Sequence, residues 1–428
     1  MNNAPGHFLS EGLRPCRSAI AHGTLSDIEG CGHPYGIARG VPKAPLRSAG
    51  SLTSLRSHSD FGIILRMSQR VFALISAVAL ASAVACSSPA PETAKPAATS
   101  TPAAEAPILL PQETRLSNIK QLTFGGENAE AYFSFDGGRL TYQNTGEYQC
   151  DQIFTMKVDG SDRKLVSNGM GRTTCSFFTP DGNSIVYAST HLGARECPPV
   201  PGKEEGYVWP IYDTYDIFKV DVDSKAITQL TKTKGYDAEA TIAKDGRIVF
   251  TSTRDGDMEI YSMNADGSDV KRLTNAPGPD GGPFFSADGS QIVFRGKHMN
   301  KGEEWNRYNV LLKKGLWRPA ALDVFVMNRD GSNMRQVTKD LGGSNWAPFF
   351  APNGKQIIFA SNMKNPRGGN FDLYLINVDG TGLEQITFSD TFDGFPMFSP
   401  DGSKLIFASN RHSTKPSDTN LFIADFKW

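Results

Sequence analysis

"FSPDGSKLIFASNR", residues 398–411, decides how this chain is read. At its centre, Pro400-Asp401-Gly402 is a turn between two strands. Pro presets φ at the first turn position, Asp suits the second, and Gly closes the hairpin in the left-handed region. An aromatic-rich strand precedes the turn and the alternating strand "KLIFAS" follows it. The phrase recurs as "GGPFFSADGSQIVFRGKH" at 281–298 and "WAPFFAPNGKQIIFASNM" at 346–363. Aligned on the turn there are six copies, at Phe135-Asp136-Gly137, Pro180-Asp181-Gly182, Lys244-Asp245-Gly246, Ala287-Asp288-Gly289, Pro352-Asn353-Gly354 and Pro400-Asp401-Gly402.

A second hairpin follows in each copy. "QIFTMKVDGSDRKLVS", "EIYSMNADGSDVKRLT", "VFVMNRDGSNMRQVT" and "LYLINVDGTGLEQIT" share one plan of strand, Asp-Gly turn and strand ending in Thr or Ser. The copy at 217–231 has Asp-Ser instead. Each repeat is therefore four antiparallel strands, A to D. Such a sheet cannot bury both faces alone, and stacking six of them radially buries them. The fold expected is all-β: a six-bladed β-propeller of four-stranded antiparallel blades over 114–428. The last copy lacks strand D, and "SNIKQLT" at 117–123 matches the D strand "SNMRQVT" at 332–338. The N-terminal strand is expected to complete the last blade and remove an open edge.

The first 113 residues read differently. "MSQRVFALISAVALASAVAC" at 67–86 has a basic start, an apolar stretch and small residues before Cys86, the shape of a secretory signal. Ala83-Val84-Ala85-Cys86 resembles a bacterial lipoprotein box, which implies lipidation of Cys86. Residues 1–66 then lie upstream of the true start, with no structure expected. Residues 87–113, rich in Pro, Ala, Ser and Thr, read as a flexible tether. The net charge of -1 gives no footprint for nucleic acid.

"FSPDGSKLIFASNR" and "LYLINVDGTGLEQIT" together resemble the TolB-like propeller repeat of bacterial envelope proteins, and the resemblance covers all six blades. It implies an envelope protein or glycan as partner; with the lipoprotein box at Cys86 and Ser87 directly after it, the chain is expected to be a monomeric, lipid-anchored lipoprotein on the periplasmic side of the outer membrane. TolB itself has an α/β domain ahead of its propeller, where this chain has a signal and tether. Peptidases with similar propellers need a Gly-x-Ser-x-Gly elbow, and none occurs here. A binding module is the first reading. The alternative is a metal-dependent lyase or hydrolase acting on oligosaccharides, by analogy with oligogalacturonate lyases, whose propellers hold a metal with histidines.

Candidate site residues follow from where the copies differ. The D–A and B–C loops open on one face, and loops on a rigid scaffold carry function. Two B–C loops are long, 190–215 and 297–321, and hold Trp209, Tyr207, Tyr212, Tyr215, Trp305, Tyr308 and Trp317. These aromatics either meet a ligand or pack on each other as a lid; 305–317 is long enough for helix. His191, His298 and His412 stand just past strand B in blades two, four and six, and suit a transition metal or acid–base work if they converge. Arg254 and Arg411 occupy similar places. Two of Cys150, Cys175 and Cys197 are expected to pair in an oxidising compartment, the choice being open. Counting eight residues back from each A–B turn Asp or Asn gives Asn128, Thr173, Asp237, Asp280, Asn345 and Asp393. A closed propeller sets these around one axis, as a ring at the channel mouth. Calcium at Asp237, Asp280 and Asp393 is the ion to consider; the local alternative is that each residue bonds its own loop.

Overall fold

The computed structural model describes residues 107–428 except 203 and 416. Six four-stranded antiparallel sheets make up the propeller. Their A strands are Asn128–Phe133, Thr173–Phe178, Asp237–Ile242, Asp280–Phe285, Asn345–Phe350 and Asp393–Phe398. Neighbouring A strands touch around the axis. Each begins on one of the six residues found by counting back from the turns.

The A–B turns work as their composition requires. In the last blade, the Ser399 hydroxyl donates to Asp401, and Asp401 accepts the Ser403 N–H at 3.0 Å. These bonds hold the Asp401 carboxyl down at about 2. Gly402 sits at φ 71°, where a side chain is strained. The Thr that ends strand D also has a local task. Thr274 accepts the Ile260 N–H of strand C at 2.9 Å and donates to Glu259. Thr231, Thr338 and Thr387 accept the equivalent N–H groups.

Leu116–Gln121 pairs antiparallel with Asn420–Phe426 and is the outer strand of the last blade. The folded body starts earlier than the expected 114. Ile108 and Leu109 pack on a core cluster, and Glu113 is 1% exposed. The expected tether is therefore too long by its last seven residues, 107–113, which the sequence conceals because Pro and Gln interrupt the apolar pattern of "PILLPQE". The signal segment, Cys86, residues 1–66 and residues 87–106 lie outside the described residues. No helix among the described residues is long and apolar enough to cross a membrane.

Every A strand carries a bulge after its second residue, where the register shifts against strand B. The third residue then takes positive φ in all six blades: Glu130, Cys175, Glu239, Gly282, Ala347 and Phe395. An added residue that turns the strand in this way re-aims side chains. Deeper along the axis, Tyr132, Phe177, Phe284 and Phe349 pack ring to ring, with centroids 5.3 Å apart for Tyr132–Phe284 and 5.4 Å for Phe284–Phe349. The axis is a plugged core rather than an open pore.

Candidate functional site at the loop face

The expected ring at the channel mouth does not form as one site. Its six residues are buried, and the polar bonds of each stay within its own part of the ring. Asp237 takes both oxygens to Arg254 at 3.0 Å. Asp280 meets His298 at 3.0 Å, and Asp393 meets Arg411 at 2.8 Å. Asn128 bonds Asn144, Asn345 bonds Ser361, and Thr173 donates to the Asp151 carbonyl. Burial raises the three aspartates above their ordinary value, while the basic partners pull back. Among the described residues no three His, Cys, Asp or Glu are grouped to hold a metal ion. Asp237, Asp280 and Asp393 each pair with a basic residue of their own blade, and bonding to the residue's own loop, the local alternative, holds for Asn128 and Asn345, which donate to the Gly125 and Gly342 carbonyls.

The same pairing explains Arg254, His298 and Arg411. Each stands two residues past the end of strand B and answers the first residue of its own strand A. His191 holds the equivalent place in the second blade, where strand A begins on Thr173. Its Nδ1 lies 2.8 Å from Ser189 Oγ and its ring 4.4 Å from that of Phe218. Burial lowers its pKa. Burial also works against charge on His298, yet Asp280 outweighs it and the net shift is upward. His191, His298 and His412 belong to three separate blades and are not grouped as metal ligands among the described residues.

What faces the axis is the bulge residue, two positions farther on. Glu130, Cys175, Glu239, Gly282, Ala347 and Phe395 line a cavity of about 50 Å³ with Arg295, Trp346 and Trp209. Arg295 donates to Glu239 at 2.6 Å and lies 5.2 Å over the Trp317 ring. Burial opposes charge on Glu239, but Arg295 and the hydroxyl of Thr251 hold its carboxyl below the ordinary range. Glu130 has no such cation. Burial pushes it up to about 7, against the pull of its bond with Cys175. Arg295 Nε and Trp346 Nε1 are buried without a protein partner, and a space of this size holds a water or a small polar group.

The Glu130 shift has a measurable sign. Its folded pKa lies above the usual 4.5, so the group stabilises the fold at low pH and that contribution is lost as pH rises from about 4.5 to 7. Glu130→Gln should flatten this part of the stability profile, read from urea midpoints between pH 5 and pH 8. An unchanged pH difference would contradict the placement of Glu130.

Over the cavity the two long loops join. Trp209–Pro210 pairs with Leu316–Trp317, and Trp209 packs on Trp317 at 5.4 Å and Trp346 at 5.7 Å. The second loop contains the helix Glu303–Lys313, as its length suggested. Trp305 packs on Tyr308 with ring centroids 5.6 Å apart and the planes tilted by 39°. The aromatics thus pack largely as a lid, with Tyr207, at 72% exposed, the exception. Cys150 and Cys197 form the disulfide and Cys175 is free. Outside the lid, a groove of about 760 Å³ runs between Pro199–Asp213 and the helix, lined by Val200, Tyr212, Leu312 and Leu316, with Glu204 and Lys313 among its polar groups. The sequence reading missed both this groove and the axial cavity.

The TolB beta propeller domain model matches residues 211–313 and 316–416. An uncharacterized protein of Agrobacterium fabrum is 25% identical over 237 residues, covering 54% of this chain and 69% of that protein. A TolB homolog of Chlorobium luteolum is 28% identical over 159 residues, 32% of this chain; the match spans 35% of that relative's length. The crystal structure of TolB from Acinetobacter baumannii aligns with a TM-score of 0.45 and 18% identity, covering 71% of this chain and 64% of that one.

Proposed function

We propose that this chain, whose residues 211–313 and 316–416 match the TolB beta propeller domain, is a non-enzymatic binding module of the bacterial envelope, lipid-anchored at Cys86 on the periplasmic side of the outer membrane, which holds a protein or glycan partner on its loop face. The observation that carries the reading is the groove of about 760 Å³ between the two long loops. Its size and its mixture of apolar walls with a few charged groups suit ligand binding. Four large apolar side chains that are exposed, Leu192, Val200, Tyr207 and Val310, also belong to these two loops, and exposed apolar groups gathered beside charge mark interaction surfaces.

The test is retention of an envelope protein or peptidoglycan fragments by the immobilised protein. Replacing Val200, Tyr212 and Leu312 together with Ser should abolish retention while thermal unfolding stays cooperative. Equal retention by the variant would place binding elsewhere.

A further inference from the structure

We propose that the two long loops are a hinged gate over the axial cavity, stapled at one end by Cys150–Cys197 and latched at the other by the hydrogen bond from Tyr308 to Asp257. The proposal deepens the reading of the loop face as the binding face, since it assigns that face a device controlling access to the axis.

Three observations make the loops one moving part. Trp209–Pro210 and Leu316–Trp317 pair as a ribbon, the Ile211 N–H donates to the Gly315 carbonyl at 2.7 Å, and Lys314 of the second loop reaches Glu205 of the first. Besides the packing of Trp209 on Trp346 and of Trp317 beneath Arg295, and the bond from the Gly171 N–H to the Arg195 carbonyl, the gate is tied to the body at both ends. Cys197 ties the first loop to Cys150, in the B–C loop of the first blade. The helix Glu303–Lys313 buries only Tyr308 and Leu311, and its N-cap, Gly302, offers no side-chain cap.

Tyr308 is the specific anchor. Its hydroxyl donates to Asp257 Oδ1 at 2.6 Å, and both residues are buried. Asp257 also accepts the Met258 N–H at 2.8 Å and the Gly278 N–H at 3.0 Å. When Tyr308 leaves, those two backbone donors still hold the carboxylate. Release therefore breaks one charge-assisted hydrogen bond without stranding a buried charge.

Beneath the gate lies a cavity that an aromatic cover alone would not need. Among the described residues Glu130 forms no ion pair, Arg295 reaching Glu239 instead, and Arg295 Nε and Trp346 Nε1 have no protein partner. On the far side Tyr132, Phe177, Phe284 and Phe349 plug the axis. A solute approaching the cavity comes past Trp209.

Cys175, free and in the cavity wall, reports opening without any partner in the assay. The full-length protein is treated with iodoacetamide and alkylation of Cys175 is followed by mass spectrometry of its peptide. Cys175 in the native protein should react slowly. Tyr308→Phe, which removes only the donor, should speed the reaction about tenfold or more, and Trp209→Ala should do the same with the latch intact. Both accelerations should be nearly independent of low urea, because the opening is local rather than global. If Trp209→Ala leaves the rate unchanged, the loops do not cover the cavity. If Trp209→Ala accelerates and Tyr308→Phe does not, Tyr308 is no latch. If the acceleration rises with urea as steeply as global unfolding does, the variants have lost stability rather than opened a gate. If the immobilised protein retains neither an envelope protein nor peptidoglycan fragments while both variants accelerate labelling as expected, the binding reading falls and the gate stands.

Discussion

Arg411→Ala is expected to destabilise the propeller by about 3–5 kcal/mol, the range found when one member of a buried ion pair is removed. Arg411 is 6% exposed, and lies between Asp393 at 0% and Glu113 at 1%. Its Nη2 donates to Asp393 at 2.8 Å and to Glu113 at 3.0 Å, its Nη1 to Glu113 and to the Ile108 carbonyl, and its Nε to Ser409. Among the described residues no other combines these tasks: one guanidinium neutralises two buried carboxylates and ties residues 107–113 to the last blade. Alanine leaves both acids in low dielectric. Arg254→Ala, which strands Asp237 alone, should cost less. The loss should also depend on pH in a stated direction. Burial already holds the Asp393 carboxyl above 3.8 despite Arg411. Without the guanidinium it rises further, so folding takes up more protons and the variant weakens as pH increases. Urea unfolding at pH 5 and pH 8 should show the larger deficit at pH 8. A difference under about 1 kcal/mol at both would mean that the acids find other partners.

Removing residues 114–124 should have a larger effect still. Leu116–Gln121 supplies the fourth strand of the last blade, and Leu116 is buried with Ile119 in the same apolar cluster as Phe422 and Phe426. Its loss bares the full edge of Asn420–Phe426 together with that cluster. An unpaired apolar edge is a template for association, so the shortened protein should elute as aggregate in size-exclusion chromatography and lack a cooperative transition. A monomeric, cooperatively unfolding product would show that the strand is dispensable.

The blades were legible because their signals are local. Asp-Gly turns, alternating strands and the terminal Thr each do their work within one hairpin, so spacing alone located the first residue of all six A strands. The axial lining was not legible. The bulge moves the axis-facing position two residues beyond the Asx ring, and the side chains there, Glu130, Cys175, Glu239, Gly282, Ala347 and Phe395, share no chemistry that alignment could reveal. Only their common positive φ unites them. The histidines misled for the opposite reason. His191 and His298 stand two residues past strand B, but only His298 answers the first residue of its strand A; in blades three and six Arg254 and Arg411 fill that place, and His412 lies one residue beyond it. Glu113 escaped because its partner, Arg411, stands 298 residues away.

The pairing of the first strand with the last also constrains the order in which the molecule can be made. Five blades draw their strands from one short stretch each, so their pairings can form soon after that stretch is synthesised. The sixth cannot. Asn118 bonds Asp425 across 307 residues, and long loops are slow to close. An early segment must therefore wait, unpaired, while the rest of the chain is produced, and the last blade completes only when the far end arrives. Folding should show a fast phase carried by the local hairpins and a slow phase that buries Leu116, the period of greatest exposure to proteases and to wrong partners.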